Sequence, residues 1–223
     1  MPDVRKIIFG NEEIYHVFNR GIDRRPTFTT KRDYYRALET LEYYRFANHT
    51  MRFSYYQSLP FQERSEIKEQ LYQGNEARVN ILAYCLMPNH FHLLLQQKKE
   101  FGISRFMADF TNSYTKYFNA KHERVGPLFQ GLFKAVHIES DEQLMHIVRY
   151  IHLNPVVSYI CSLENLENFP YSSYREYLSS NLHPFVSPIS LDFFKSIDQF
   201  KEFTSDQIDY GRQLEKIKHL VLE

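Results

Sequence analysis

The chain lacks several features that would assign it to a class directly. Its 223 residues include no Trp, only two Cys and only seven Gly, and the formal net charge is zero. Because Cys85 and Cys161 lie far apart in the chain, neither a disulfide framework nor a zinc knuckle is indicated. Zero net charge argues against an indiscriminate nucleic-acid coat. No glycine-rich phosphate-binding loop is present either.

Long apolar runs are also missing, and no stretch approaches the length of a membrane span. Residues 1–6 lack the pattern of a signal peptide, so we expect a cytoplasmic location and no membrane partner. The chain does contain 43% hydrophobic residues, which is enough to bury a proper core. Aromatic residues make up 16% of the chain, and most of them are expected inside that core.

The most informative stretch, Asn80–Gln96, predicts two apolar strands joined at Met87-Pro88-Asn89. The second strand begins with His90-Phe91-His92. Because side chains alternate between the faces of a strand, both histidines point the same way and Phe91 points the other way. Two imidazoles side by side on a rigid strand end are a candidate metal-binding pair. Such a pair also arises often by chance, so it needs support from the rest of the chain.

The whole pattern predicts an α+β protein. The predicted elements are a strand at 13–20, a helix at 31–48, the hairpin at 78–97, a helix at 101–119, a strand at 132–138 and a helix at 140–154. The tight hairpin requires antiparallel pairing, so we expect a sandwich of a central antiparallel β-sheet with helices on one side. The last helix is expected to end at Asn154, because Pro155 disfavours helical geometry in the residue before it.

That last helix carries two polar groups that could form a site with the histidines. Tyr150 and Asn154 are four residues apart and lie on one side of the helix, flanking an apolar stripe. The stripe consists of Leu144, Ile147, Val148 and Ile151. A hydroxyl and an amide would therefore emerge together where the helix meets the sheet. The alternative is structural: a boundary tyrosine packed on the core and an asparagine that caps the helix.

Four blocks of the chain resemble the single-tyrosine HUH transposases, and in particular the REP-associated tyrosine transposases. The histidine block is Leu86-Met-Pro-Asn-His-Phe-His-Leu-Leu-Leu95, and the tyrosine block is Arg149-Tyr-Ile-His-Leu-Asn-Pro-Val156. Tyr15-His-Val-Phe-Asn-Arg-Gly21 and Gly126-Pro-Leu-Phe-Gln-Gly-Leu-Phe-Lys-Ala135 are similar to the other two. The blocks occur in the family order, and together they are specific.

The resemblance implies a ferredoxin-like domain that cleaves and rejoins single-stranded DNA. Residue by residue, His90 and His92 match the metal-binding pair, Tyr150 matches the nucleophile, and Asn154 matches the third metal ligand. Many relatives have Gln where this chain has Asn154. Relatives also usually carry Trp and Arg in the third block, at the positions that here hold Phe129 and Leu132.

The implied reaction is a transesterification in which Tyr150 forms a 5′-phosphotyrosine link and releases a 3′-hydroxyl. The implied cofactor is a divalent metal ion, Mg²⁺ or Mn²⁺, which suits two imidazoles and an amide. Because one phosphodiester replaces another, rejoining needs no nucleotide cofactor. The implied partner is single-stranded or hairpin DNA, including repetitive extragenic palindromes, and the loop cations Arg20, Arg24 and Arg25 are predicted to contact phosphates. Monomer and homodimer both stay open.

Residues 1–160 are predicted to form the catalytic domain, with an insertion at 49–77, and residues 161–223 a helical and loop extension packed on it. The main alternative is a domesticated, non-catalytic DNA binder that acts as a regulator. A nucleotide hydrolase with His-x-His-x-His would need a third histidine at position 94, which is Leu94. A purely structural module is the remaining hypothesis. His152 is predicted to lie on the surface, and His16, His137 and His146 receive no role.

Overall fold

The computed structural model describes residues 7–74, 76–178, 185–187 and 193–208, and a four-stranded antiparallel sheet lies at its centre. The strands are β1 (Ile14–Arg20), β2 (Val79–Met87), β3 (His90–Gln97) and β4 (Lys134–Ile138). The order across the sheet is β2-β3-β1-β4. Two residues, Pro88 and Asn89, connect β2 to β3, and Met87 is the register partner of His90. The predicted hairpin and its turn are therefore confirmed.

Seven α-helices lie within the described residues, together with short 3-10 segments at Ile22–Arg24 and Leu163–Asn168. They are α1 (Lys31–Tyr44), α2 (Phe53–Ser58), α3 (Phe61–Gly74), α4 (Gly102–Lys121), α5 (Asp141–Val157), α6 (Tyr174–Leu178) and α7 (Ile197–Ser205). None of these helices is both long and apolar enough to cross a lipid bilayer.

The chain path through the sheet confirms the ferredoxin-like fold. The order β1-α1-β2-β3-α4-β4 places β1 and β3 in the centre of the sheet, and each is antiparallel to both of its neighbours. Strands β1 and β2 thus run parallel, and so do β3 and β4. A helical crossover is required between parallel strands, and α1 and α4 supply the two crossovers. The α2–α3 segment fills most of the predicted insertion.

The two faces of the sheet are covered differently. Phe91 packs against Phe110 of α4, so α4 covers the face to which Phe91 points, and α1 packs beside α4. His92 points to the other face and contacts Tyr150 of α5. The expectation of helices on one side therefore holds for the two crossover helices, and α5 lies on the opposite face. The three leucines in the middle of β3, Leu93, Leu94 and Leu95, alternate between the two faces and are all buried, so both faces of the sheet are covered.

Local signals account for the starts of the helices. Thr30 and Asp33 form a capping box at the start of α1, and Ser140 caps α5 by accepting a hydrogen bond from the backbone of Gln143. The predicted end of α5 at Asn154 is wrong, because the helix continues through Pro155 to Val157. Proline removes one backbone donor, and the burial of Val156 in the core favours the extra turn.

Described parts of the C-terminal region pack against β2. The N–H of Ser173 donates to the carbonyl of Tyr84 at 3.0 Å, and the Tyr177 hydroxyl donates to the carbonyl of Leu82. Of the predicted domains, residues 1–6, 75, 179–184, 188–192 and 209–223 lie outside the described residues.

Candidate active site

The two histidines of the hairpin lie at the start of β3, with their ring centroids 5.1 Å apart. His92 is buried, with 6% of its surface exposed, and His90 is partly exposed. The Nδ1 atom of His90 is 2.6 Å from Oδ1 of Asn89, the second residue of the turn. A neutral His90 that donates this hydrogen bond presents Nε2 as its acceptor nitrogen. The turn residue thus orients the imidazole that follows it.

Helix α5 brings Tyr150 to these histidines. The centroid of its ring is 5.3 Å from that of His92, and the two planes meet at 84°. Burial of Leu144, Val148 and Ile151, on the predicted stripe, seats the helix on the sheet. Tyr150 itself keeps 37% of its surface exposed. Tyr150 therefore contacts His92, one of the two candidate metal ligands. Its ring is still partly exposed to solvent, from which a large substrate could approach.

A third histidine, His16 of β1, completes the cluster and was not predicted as a site residue. Its Nε2 lies 2.9 Å from Nδ1 of His92, and its ring centroid is 5.9 Å from that of Tyr150. Burial lowers the pKa of His16 to about 4, so the ring is neutral at neutral pH. A neutral His16 can accept the hydrogen bond from Nδ1–H of His92. The alternation of side chains along β1 shows which residues of that strand share a face with His16. Only the pairing of β1 with β3 shows that His92 lies on the same face.

Asn154 lies one turn after Tyr150, as the spacing predicts, and is largely buried. Its Nδ2 donates to the backbone carbonyl of Tyr150 at 2.8 Å. No hydrogen bond joins Asn154 to His90 or His92 within the described residues. The bond to the helix backbone uses the amide nitrogen, so Oδ1 is the atom that would serve as a metal ligand.

The predicted DNA-contacting arginines lie at the same end of the hairpin as His90. Arg20 is the register partner of His90, so both side chains point to the Tyr150 face. The carbonyl of Arg24 accepts a hydrogen bond from Nδ2 of Asn89 at 3.2 Å, which attaches the 21–25 loop to the turn. Arg25 pairs with Asp23 at 3.1 Å. Arg20 is therefore the cation of the three that the sheet places directly beside the histidine pair.

Two further histidines within the described residues, His152 and His137, lie outside this cluster. The prediction that His152 lies on the surface is wrong: it is fully buried, and its Nε2 lies 2.8 Å from Oγ of Ser173. His152 points away from Tyr150, as its position on the helix predicts, but the C-terminal region covers that side of α5. His137 pairs with Glu13 at 2.7 Å.

The side chains at the site supply imidazole nitrogens and one amide as possible metal ligands. Nowhere in the described residues do three His, Cys, Asp or Glu side chains converge as they would around a metal ion. His90 and His92 each use Nδ1 for a hydrogen bond to the protein, and Nε2 is the ring nitrogen that would coordinate an ion. Two oriented imidazoles fit a divalent ion whose other ligands are an amide, water or phosphate oxygens.

A family model identifies the family to which the chain belongs. A family model described as "Transposase IS200 like" matches residues 12–154, which contain the sheet, α1, α4 and most of α5. The chain belongs to the IS200-like transposase family. The matched range contains the three histidines and the tyrosine of the site, which are His16, His90, His92 and Tyr150, and it ends at Asn154. The resemblance seen in the sequence is therefore confirmed at the level of the family.

Solved structures show the same fold for this IS200-like transposase. One similar chain is described as the REP-associated tyrosine transposase bound to a REP hairpin. The two share 16% sequence identity with a TM-score of 0.51, over 88% of this chain and 96% of that chain. At this identity the similarity concerns the fold. A search of curated proteins finds no match.

The third sequence block divides into a core part and a surface part. Phe129 is buried and packs against Phe91 with ring centroids 5.4 Å apart, on the face opposite Tyr150. Leu132 keeps 53% of its surface exposed. The aromatic residue in this block therefore belongs to the core, whereas the leucine lies on the surface.

Proposed function

We propose that this chain is a metal-dependent, single-stranded DNA endonuclease and strand transferase. The observation that carries the proposal is the contact between Tyr150 of α5 and His92 of β3, at 5.3 Å between ring centroids. The proposed nucleophile, which is partly exposed, thus contacts one histidine of the proposed metal-binding pair, although the two come from separate parts of the chain. The family is a transposase family, which supports DNA strand transfer as the reaction.

In the proposed step, Oη of Tyr150 attacks the scissile phosphorus in line with the 3′ oxygen. The new Tyr150 O–P bond forms as the P–O3′ bond breaks, the phenol proton is lost, and the leaving 3′ oxygen gains a proton. A phenol is a poor nucleophile at neutral pH until its proton is removed or its oxygen is polarised. The phosphotyrosine link is itself a phosphodiester, so the energy of the broken bond is retained. The 3′-hydroxyl of another DNA end can therefore attack it, which joins the two DNA ends and releases Tyr150.

His90 and His92 would hold the divalent ion through Nε2, and Oδ1 of Asn154 is the proposed third protein ligand. When bound, Mg²⁺ or Mn²⁺ would supply charge stabilisation at the phosphoryl and leaving oxygens. The chain itself orients the ligands: Asn89 holds the ring of His90, and His16 holds the ring of His92. His16 is therefore a proposed positioning residue, which fixes the tautomer of His92 from behind.

Arg20 would bind a phosphate next to the scissile one, because it shares the face and the register position of His90. Arg24 and Arg25 would extend this contact along the loop. The similar solved chain is bound to a REP hairpin, which supports hairpin DNA as the substrate class of this chain too. The base sequence is not part of the proposal.

Covalent capture tests the function directly. The purified chain is incubated with Mn²⁺ or Mg²⁺ and hairpin-bearing oligonucleotides labelled on the 5′ or the 3′ side of the hairpin. We expect a denaturation-resistant adduct that carries the segment 3′ to the cleavage site. Tyr150→Phe should abolish the adduct and leave DNA binding near normal. Tyr159→Phe, which removes an exposed hydroxyl just beyond the same helix, is the matched control and should retain the adduct.

The metal-binding pair is tested in the same assay. His90→Ala and His92→Ala should each abolish the metal-dependent adduct, and neither variant should bind Mn²⁺ at the affinity of the wild type. If the wild type forms no adduct but binds hairpin DNA tightly, the catalytic proposal is wrong and a regulatory DNA binder is the better description. An adduct that survives in Tyr150→Phe would place the nucleophile elsewhere.

A further inference from the structure

A second candidate site lies on the face of the sheet opposite Tyr150. It is a cleft of about 1000 Å³ between α1, α2 and α4. Its floor and walls include five cations, Arg32, Arg36, Arg52, Lys116 and Lys121, and only two carboxylates, Glu39 and Asp109. We call this space the α1–α2–α4 cleft. It is distinct from the histidine–tyrosine cluster, because α1 and α4 cover the other face of the sheet.

Both carboxylates in the cleft are already engaged. Asp109 pairs with Arg78 at 2.6 Å, and Glu39 accepts a hydrogen bond from Gln57 at 3.1 Å. In contrast, three of the cations pair with no carboxylate within 4.0 Å among the described residues. These are Arg32, Arg52 and Lys116, and all three are exposed. On a chain with zero net charge, three unpaired cations around one cleft create a local positive potential.

Arg36 adds a fixed charge at the base of the cleft. Its guanidinium carbon lies 4.3 Å from the ring centroid of Phe53 and 5.2 Å from that of Tyr117. The Nε atom is buried and has no hydrogen-bond partner among the described residues. These two ring contacts restrain the guanidinium, so its charge is preorganised for an anion.

The rest of the lining suits a polyanion that also carries flat rings. Hydroxyl and amide groups that can donate to phosphate oxygens come from Ser54, Asn112 and Ser113. Tyr35 lies in the lining with 52% of its surface exposed, so its ring is available for stacking. Cations that follow a groove beside an exposed aromatic ring are the combination found in sites for single-stranded nucleic acid.

The cleft also connects to the histidine–tyrosine site. Its Arg32 belongs to the first turn of α1, and the chain entering α1 is hydrogen-bonded to the hairpin turn. The N–H groups of Thr27 and Phe28 both donate to the carbonyl of Pro88, at 2.7 and 3.0 Å. His90 follows Pro88 by two residues. These hydrogen bonds attach the chain that leads into the Arg32 end of the cleft to the hairpin end at which His90 lies.

We propose that the α1–α2–α4 cleft binds the sugar–phosphate backbone of the DNA that the histidine–tyrosine site acts on. The identity of this ligand as DNA rests on the proposed function, whereas the site itself rests on the charges and rings of the cleft. The cleft holds the strand without reading its bases, because its donors meet phosphates. Helix α2, which supplies one wall, gives the 49–77 insertion a role in substrate binding.

The test compares two triple variants that lose the same charge. Arg32→Gln, Arg52→Gln and Lys116→Gln empty the cleft of its unpaired cations. Arg175→Gln, Lys195→Gln and Lys201→Gln remove three cations outside it and serve as the control. Binding of a fluorescent hairpin oligonucleotide with a single-stranded tail is measured by anisotropy over a series of salt concentrations. Circular dichroism and thermal melting confirm that both variants are folded.

We expect the cleft variant to bind at least tenfold more weakly than the control at low salt. Its slope of log Kd against log salt should fall by about 2, since each single-strand phosphate contact contributes about 0.7. Equal binding by the two variants would overturn the proposal. The proposal would also be wrong if inorganic phosphate displaced the labelled oligonucleotide as well as unlabelled oligonucleotide does at the same phosphate concentration. The cleft would then be a general anion site.

The adduct assay separates this proposal from the function on which it draws. If the wild type forms the covalent adduct while the cleft variant binds DNA normally, only the cleft proposal fails. If the cleft variant loses binding while no adduct ever forms, the strand-transfer proposal fails and the cleft remains a DNA site. If an RNA of the same sequence binds more tightly than the DNA, the ligand of the cleft is RNA and the assignment to DNA is wrong.

Discussion

Nε2 of His16 lies 2.9 Å from Nδ1 of His92, although the two residues are 76 positions apart in the chain. Both rings are buried, and both stand edge-on to the ring of Tyr150. An imidazole that binds a metal ion through one nitrogen is oriented by the hydrogen bond at the other. The pair therefore links the central strand β1, which carries no predicted ligand, to the chemistry proposed for β3.

Replacement of His16 tests this link. His16→Ala should weaken Mn²⁺ binding and covalent adduct formation by about 10- to 100-fold, the range seen when an orienting partner of a metal ligand is lost. His16→Gln keeps a side-chain acceptor and should recover part of both. Mn²⁺ affinity is measured by electron paramagnetic resonance of the unbound ion, and adduct yield by gel electrophoresis.

The matched control is His137→Ala, since His137 is also a strand histidine but pairs with Glu13. It should leave Mn²⁺ affinity unchanged. A purely structural role for His16 predicts instead that thermal stability falls while Mn²⁺ affinity stays at the wild-type value.

Burial of His152 should make the fold sensitive to mild acid. Among the described residues it contacts Ser173 and the rings of Tyr174, Tyr177 and Phe200, and burial lowers the pKa of His152 to about 3. An unfolded histidine titrates near pH 6.5. Between that pH and pH 3 the unfolded state holds a proton that the native state does not, so the free energy of unfolding falls as the pH falls.

From pH 6.5 to pH 5 this residue should contribute a loss of about 1–2 kcal/mol. Urea unfolding at pH 7 and pH 5 measures the loss, and His152→Gln, which does not titrate, should show a smaller one. His16 titrates in the same direction, so some pH dependence remains in the variant. Identical pH dependence in the two proteins would show that His152 is not buried in the neutral form.

Asp33 ties α1 to α4, and its loss should destabilise the fold. The carboxylate is fully buried and accepts hydrogen bonds from Lys121 at 2.7 Å, from the Tyr117 hydroxyl at 3.0 Å and from residues at the start of α1. Burial by itself would raise the pKa of Asp33, but these hydrogen bonds outweigh it and hold the pKa well below its usual range. Asp33→Asn should lower the free energy of unfolding by about 2–4 kcal/mol at pH 7.

Folding lowers the pKa of Asp33. The contribution of its carboxylate to the free energy of unfolding is therefore present above pH 4 and is lost as the pH falls. The difference between the wild type and Asp33→Asn should therefore shrink in acid. The control is Asp23→Asn, which breaks the exposed pair with Arg25 and should cost less than about 1 kcal/mol. Equal effects of the two substitutions in urea unfolding would contradict the assigned role of Asp33.

Much of the fold follows from local patterns in the sequence. The hairpin, β1, α1, α4 and the start of α5 are all predictable, because alternation, helical periodicity and capping residues agree in these stretches. The helix α2 was not predicted, since its six residues carry no strong periodicity. The end of α5 was misplaced because tertiary packing of Val156 outweighs the local effect of Pro155.

The sequence by itself determined the family, the alternation that puts His90 and His92 on one face, and the helix that carries Tyr150. These follow from residue order and spacing, which local geometry translates directly. Only the tertiary structure decided that α5 covers the histidine face, that His16 hydrogen-bonds His92, and that His152 is buried. It also assembled the α1–α2–α4 cleft. Each of these depends on contacts between residues far apart in the chain, and the pairing of strands and the docking of helices determine those contacts.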